Sequence, residues 1–184
     1  HTMGTRFSEN LIYDCSQGGI AARGFVNPGS GLDIHGNEIH TNGTGIVVGT
    51  DGARVSSNNI SPTQAGRGTY GVMLDTGFDQ GGIDRCQVLN NQITGLGGDG
   101  IRIITTVKSA MIKQNVIEGV GGGGIVMADE SCAKVLSIEN NHLLNIAPRA
   151  NDSKSSVFGI RIIHAERAEL ISNSIIEVGP AAVQ

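Results

Sequence analysis

Five polar residues occupy positions from which they could bind or act on one ligand. Arg102 and Arg161 hold the same place in two Gly-Ile-Arg-Ile segments, and Asp75, Asp129 and His164 follow segments of this kind. Arginine holds a carboxylate through two parallel hydrogen bonds, and aspartate or histidine can transfer protons. The pattern predicts a patch that binds or cleaves an acidic sugar; the alternative is that all five are ordinary turn and surface residues.

Aromatic side chains are scarce, at 3% of 184 residues, and Trp is absent. Tyr70, Phe78 and Phe158 nevertheless lie in or beside the long loops of the chain. Sugar rings stack on aromatic faces, which combine apolar and polarised surface. We therefore expect these three residues to contribute stacking contacts to a ligand groove.

Metal and cofactor chemistry has little support in the sequence. The His residues near the Asn-containing corners show no metal-ligand spacing, and the three Cys residues form no CxxC or Cys/His motif. Calcium prefers oxygen ligands, but no dense acidic motif occurs. We expect no cofactor, with calcium left open, and free structural thiols; Cys86 falls on an inward strand position, where Cys acts as a small apolar residue.

A repeat defines the elements that position these residues. Asn-x-(Ile/Leu) occurs six times at intervals of 21 to 33 residues, each time with apolar residues three and five positions before the Asn. Residues two apart in a strand face the same side, so each pair is predicted to point inward. We expect the Asn residues to adopt the left-handed conformation of a tight corner and to stack with hydrogen bonds. They are Asn37, Asn58, Asn91, Asn115, Asn141 and Asn173.

A second repeated element, Gly-(Ile/Val)-x-(apolar), follows the Asn element after a variable gap. Its glycine indicates a corner where a Cβ would clash. The outward residues of this element include the apolar Val47, Met73 and Val126, so either long loops or another chain is expected to cover them. The copies begin at Gly45, Gly71, Gly100, Gly124 and Gly159, with a plausible earlier copy at Gly19.

Three short strands per repeat, joined by corners, predict an all-β parallel β-helix of about six coils. Strands rich in Val and Ile also occur in β-sandwiches, but sandwich strands do not repeat the same Asn and Gly at matching offsets. Neighbouring coils pair about 4.8 Å apart. Arg102 and Arg161 would then lie two coils, or roughly 10 Å, apart.

The sequence predicts the following organisation. Residues 1–3 are a cloning remnant, residues 4–18 form a cap or partial coil, and residues 19–184 form the β-helix. We expect a piece of a longer solenoid, or one that covers its ends by self-association. A net charge of −4 without a basic stripe argues against a nucleic-acid partner, and no apolar run is long enough to span a membrane.

Over residues 19–184, the two repeated elements resemble the right-handed parallel β-helix repeats of the pectate-lyase-like superfamily. The resemblance implies a bacterial protein that is secreted, periplasmic or on the cell surface. The superfamily includes polysaccharide lyases, pectin-type glycosidases, alginate C5-epimerases and phage tailspikes. The segment from Tyr70 to Asp75 shares only its initial Tyr-Gly with the Tyr-Gly-Phe-Asp-Pro-His run of the epimerases, and the glycosidase segments Asn-Thr-Asp, Asp-Asp and Gly-His-Gly are absent. No catalytic residue therefore transfers.

Three functions are compatible with these patterns, because a fold alone does not choose between them. The first is a module of a carbohydrate-associated protein that binds or displays an extended polysaccharide through Arg102, Asp129, Arg161 and His164. The second is a polysaccharide lyase, glycoside hydrolase or C5-epimerase that acts on an acidic glycan through the same patch. The third is a structural spacer or tailspike-like adhesin, with the apolar outward stripe as a subunit interface.

Overall fold

A computed structural model describes residues 4–23, 31–77, 82–147 and 158–179. These residues form twenty short strands, and none of them forms a helix long and apolar enough to cross a membrane. In chain order the strands are β1 (Thr5–Ser8), β2 (Leu11–Cys15), β3 (Gly18–Arg23), β4 (Leu32–His35), β5 (Glu38–Thr41), β6 (Thr44–Gly49), β7 (Arg54–Ser56), β8 (Asn59–Ser61), β9 (Tyr70–Leu74), β10 (Cys86–Leu89), β11 (Gln92–Thr94), β12 (Asp99–Ile103), β13 (Val107–Lys113), β14 (Val116–Glu118), β15 (Ile125–Met127), β16 (Ala133–Glu139), β17 (His142–Ile146), β18 (Ile160–Arg161), β19 (Ala165–Ile171) and β20 (Ser174–Val178).

The strands form three parallel sheets, each of which takes every third strand along the chain. Sheet 1 has the order β1-β4-β7-β10-β13-β16-β19, sheet 2 the order β2-β5-β8-β11-β14-β17-β20, and sheet 3 the order β3-β6-β9-β12-β15-β18. One passage through the three sheets is one coil, so β1 to β18 form six coils, and β19 and β20 form two sides of a seventh. The predicted parallel β-helix, with three strands per coil and about six coils, is confirmed.

The core lies inside the coils and consists of rows of apolar side chains in register. In sheet 1, Val88 pairs with Val55 on one side and with Ile112 on the other, and all three are buried. Every inward pair predicted before an Asn in the second to sixth coils is likewise buried. Leu170 belongs to the same row as Val88 but is 53% exposed, because no described residue stacks on its far side.

A row of glycines marks the corner where each coil enters sheet 3. A Cβ on Gly71 would lie 2.5 Å from Ile93 Cγ2 and 2.6 Å from the Gly100 carbonyl oxygen. Both distances are far shorter than van der Waals contact, so the next coil occupies the space that a side chain would need. The expected steric reason for the repeated glycine is confirmed.

The predicted asparagine stack forms a continuous ladder at the corner between sheets 1 and 2. The Asn58 side chain donates from Nδ2 to Asn91 Oδ1 at 2.9 Å, and Asn91 donates in the same way to Asn115 at 3.0 Å. The same pattern continues to Asn141 and Asn173. At the other end, the ladder begins at Asn10, whose Nδ2 donates to Asn37 at 2.8 Å.

The prediction that these Asn residues are left-handed is wrong. The positive φ angles at this corner belong to the residue before each ladder Asn, as at Ser57 (55°), Asn90 (53°) and Gln114 (58°). The ladder Asn is buried, and its backbone amide donates to the Oδ1 of the next rung, as Asn91 does to Asn115 at 3.0 Å. The preceding residue therefore makes the turn, and the Asn joins the coils.

All three cysteines are free thiols, as expected. Cys86 faces the core, and its burial raises the pKa of its thiol to about 12. The thiol is therefore neutral near neutral pH and packs as a small apolar side chain.

Candidate functional site

The outward face of sheet 3 carries the two arginines predicted to bind ligand. Arg102 pairs in register with Met73 and Val126, and Val126 pairs with Arg161. The two arginines thus lie in one row, two coils apart, or about 10 Å along the axis. The spacing that the sequence predicted is present.

The apolar residues of this row are covered within the chain itself. Val47, Met73 and Val126 are only 7%, 8% and 5% exposed, although they point away from the core. Burial inside a single chain removes the reason for expecting a subunit interface at this stripe. Arg102 and Arg161 are the partly exposed members, with side chains 27% and 34% exposed.

The first arginine unit consists of Arg102, Tyr70 and Asp99. The Arg102 guanidinium lies over the Tyr70 ring, 5.5 Å from its centroid, and Arg102 Nη1 donates to Asp99 Oδ2 at 2.6 Å. The other Asp99 oxygen accepts a hydrogen bond from the Gly123 amide at 2.7 Å. Because Asp99 pairs in register with Tyr70, the start of sheet 3 brings both partners to the arginine.

One nitrogen of this arginine has no partner. Arg102 Nε is buried and makes no hydrogen bond to any atom of the described chain. A buried donor without an acceptor carries a desolvation cost. Asp99 engages Nη1, so a ligand could reach only the exposed part of the Arg102 side chain, which does not include Nε.

The second arginine unit consists of Arg161, Phe158 and Asp129. Arg161 lies 5.5 Å from the Phe158 ring centroid, and its Nη2 donates to Asp129 Oδ1 at 2.7 Å. Asp129 is 74% exposed, so water and salt screen this ion pair. A ligand carboxylate can exchange with such a partner at small cost.

In both units the aromatic ring holds the arginine by a cation–π contact. One face of Tyr70 and one face of Phe158 are therefore occupied by a guanidinium and are closed to sugar stacking. The structure thus assigns these rings a contact that the sequence did not suggest. Each ring fixes the direction of an arginine side chain.

Among the described residues, the remaining predicted site residues make no hydrogen bond or ion pair with Arg102 or Arg161. Asp75 forms an ion pair with Arg23 at 2.5 Å and accepts a hydrogen bond from the Gly77 amide at 2.7 Å, and neither contact involves Arg102 or Arg161. His164 is exposed and its side chain makes no hydrogen bond or ion pair to the described residues. Phe78 lies outside the described residues.

Asp99 is the site residue that the sequence analysis missed. It directly precedes Gly100, at the start of the sheet 3 strand, where Tyr70 and Phe158 stand before Gly71 and Gly159. Alignment of the repeats on this glycine places all three residues in one position. That alignment is the signal that could have linked Asp99 to the aromatic residues.

Comparison with known families agrees with this architecture. Residues 2–183 match the family model described as the right handed beta helix region. The chain belongs to the right-handed β-helix family. No curated protein and no solved structure matches this β-helix chain, so the family fixes the coil architecture and leaves the ligand to be argued from the side chains.

Within the described part of this β-helix, no three His, Cys, Asp or Glu side chains lie close enough to hold a metal ion. The exposed groups of the two arginine units are guanidinium donors, one solvent-facing carboxylate and ring edges. Such groups match the oxygen-rich surface of a sugar polymer.

Proposed function

We propose that this β-helix binds an extended polysaccharide along the outward face of sheet 3, with acidic sugars as its preferred units. The observation that carries the proposal is the repetition of one arrangement in one row. Arg102 and Arg161 each lie over an aromatic ring, each retain an exposed part, and stand two coils apart.

The spacing supports a polymer as the ligand. A distance of about 10 Å exceeds the reach of one carboxylate or one sugar ring and is set by the strand spacing of the solenoid. A single small molecule would contact one arginine unit. An extended chain parallel to the solenoid axis would contact both, and the second contact would strengthen the first through effective concentration.

The local charge supports binding at short range. Asp99 and Asp129 balance the two arginines, so the surface does not create a large positive field. Affinity would come from directed hydrogen bonds to the exposed part of the Arg102 guanidinium and from exchange of the Asp129 carboxylate at Arg161. We therefore expect only a moderate dependence of the affinity on salt concentration.

Variants at the two arginines test the proposal directly. Arg102→Ala with Arg161→Ala should abolish retardation of the chain in gels that contain an acidic polysaccharide, such as a polyuronate. Arg54→Ala is the matched control, because Arg54 is exposed on sheet 1 and makes no ion pair with the described residues. Retardation that survives the double substitution, or that is lost in Arg54→Ala, would refute the assignment of this face.

A further inference from the structure

A second cluster lies on another face of the solenoid and contains a nucleophile, a base and a carboxylate. On the outward side of sheet 2, His40 Nδ1 lies 2.8 Å from Ser61 Oγ, and His40 Nε2 lies 2.9 Å from Glu38 Oε1. Glu38 and His40 are two residues apart on β5, so they face the same side. Ser61 pairs in register with His40 from the next coil.

The hydrogen bonds select the tautomer of His40. An ionised carboxylate only accepts hydrogen bonds, so the proton of a neutral imidazole belongs on Nε2, where Glu38 accepts it. Nδ1 then carries the lone pair and accepts the Ser61 hydroxyl. A hydroxyl bonded to a histidine that a third group orients is the arrangement of an activated serine.

The surroundings fix the imidazole further. The Tyr13 ring packs against His40 with ring centroids 5.2 Å apart and an interplanar angle of 58°. Tyr13 comes from the preceding coil and Ser61 from the following one, so His40 is held from both sides of its strand. Its side chain is 24% exposed, which leaves the Ser61–His40 contact open to a substrate at the surface.

We propose that Ser61 is the nucleophile of a carboxylic ester hydrolase site, with His40 as general base and Glu38 as the residue that positions it. Ser61 Oγ forms a bond to the acyl carbon while its proton passes to His40 Nδ1. The bond from the acyl carbon to the alcohol oxygen breaks, and that oxygen takes the proton from Nδ1. Water then attacks the acyl carbon and gives one proton to Nδ1. The bond from the acyl carbon to Ser61 Oγ breaks, Oγ takes the proton back from Nδ1, and a free carboxylic acid is released.

The shape of the site indicates the class of ester. An open sheet face cannot enclose a small ligand, so the substrate is a small acyl group, such as acetyl, carried by a large molecule. This site lies on sheet 2 and does not depend on polysaccharide binding at sheet 3.

The test uses p-nitrophenyl acetate as the probe, with release of p-nitrophenolate and the mass of the acylated chain as readouts. We expect a burst approaching one equivalent, with acetyl on the peptide that contains Ser61, and no burst from Ser61→Ala. His40→Ala should slow the burst by about 100-fold or more. Glu38→Gln should lower kcat with little change in KM, because it alters the base and leaves the binding surface intact.

His35→Ala is the matched control, because His35 also contacts a serine, Ser56, at 3.2 Å but no carboxylate of the described chain. It should keep the full burst. An unchanged burst in Ser61→Ala, or acetyl found on lysines with Ser61 unmodified, would overturn the proposal. If Ser61→Ala fails to fold, treatment of the native chain with a fluorophosphonate decides: a stoichiometric adduct on Ser61 supports the site, and an unmodified Ser61 refutes it.

Discussion

Replacement of a central rung of the asparagine ladder gives the most quantitative test of how the coils are held together. The Asn91 side chain donates from Nδ2 to Asn115 Oδ1 and to the Val55 carbonyl, both at 3.0 Å. Its Oδ1 accepts from the backbone amide of Asn58 at 3.0 Å and from Asn58 Nδ2 at 2.9 Å. Asn91→Ala removes all four hydrogen bonds at a buried position.

A net value of about 1 kcal/mol for each hydrogen bond gives a loss of about 4 kcal/mol in the free energy of unfolding. The abandoned partners are buried, so the desolvation cost of leaving them unpaired adds to the loss. Asn10→Ala is the matched control at the exposed first rung, where the side chain donates one hydrogen bond, to Asn37 Oδ1. Its cost should be about 1 kcal/mol or less.

Equilibrium urea unfolding, followed by far-ultraviolet circular dichroism, measures both variants. Each coil contacts only its neighbours, so the transition should also be followed by tyrosine fluorescence to establish that the chain unfolds as one unit. A loss below about 1 kcal/mol for Asn91→Ala, equal to that for Asn10→Ala, would refute the view that the ladder stabilises the stack.

Three further predictions concern packing and the thiols. Gly100→Ala should destabilise the chain by at least about 2 kcal/mol, because its Cβ would lie 2.4 Å from Ile117 Cγ2. Gly31→Ala is the control: a Cβ there meets open space, so this variant should be nearly neutral in the same urea assay. In the native chain an aromatic disulfide reagent should modify the exposed Cys132 rapidly and the buried Cys86 only on unfolding, as absorbance kinetics will show. Burial raises the pKa of the Cys86 thiol in the folded chain to about 12. As the pH rises, the thiol therefore ionises first in the unfolded chain, which favours unfolding. Between pH 8 and pH 10, the free energy of unfolding of the native chain should fall by about 1.5 kcal/mol more than that of Cys86→Ala.

The sequence carried most of the fold because one local rule recurs in every coil. Apolar residues at fixed distances before Asn91 or Asn115 specify an inward strand, and a glycine such as Gly71 specifies a corner without space for a Cβ. The left-handed residue was misplaced because no single residue type marks that position. Ser57 and Gln114 occupy it in two coils, and Gly36 and Asn90 occupy it in two others.

The sequence predicted which residues of the candidate site share a row, but it did not predict which side chains contact each other. Matching Gly-Ile-Arg-Ile segments placed Arg102 and Arg161 in one row. The pairing of Arg102 with Asp99, and the position of its guanidinium over Tyr70, depend on side-chain directions in adjacent coils. A one-dimensional pattern does not contain those directions.

The Ser61–His40 contact was hidden for a different reason. His40 follows Asn37 by three residues and Ser61 follows Asn58 by three, so alignment of two consecutive repeats places them side by side. Metal-ligand spacing along the chain does not reveal this contact, because a solenoid forms most of its side-chain contacts between residues one coil apart.

Calorimetric titration with a length series of uronic acid oligomers tests the central claim, that two arginines two coils apart bind one extended acidic chain. Affinity should rise steeply once the oligomer is long enough to contact both Arg102 and Arg161, and Arg161→Ala should remove that rise while leaving the weak binding of short oligomers. An affinity that does not depend on length, or the absence of binding at every length, would contradict the account.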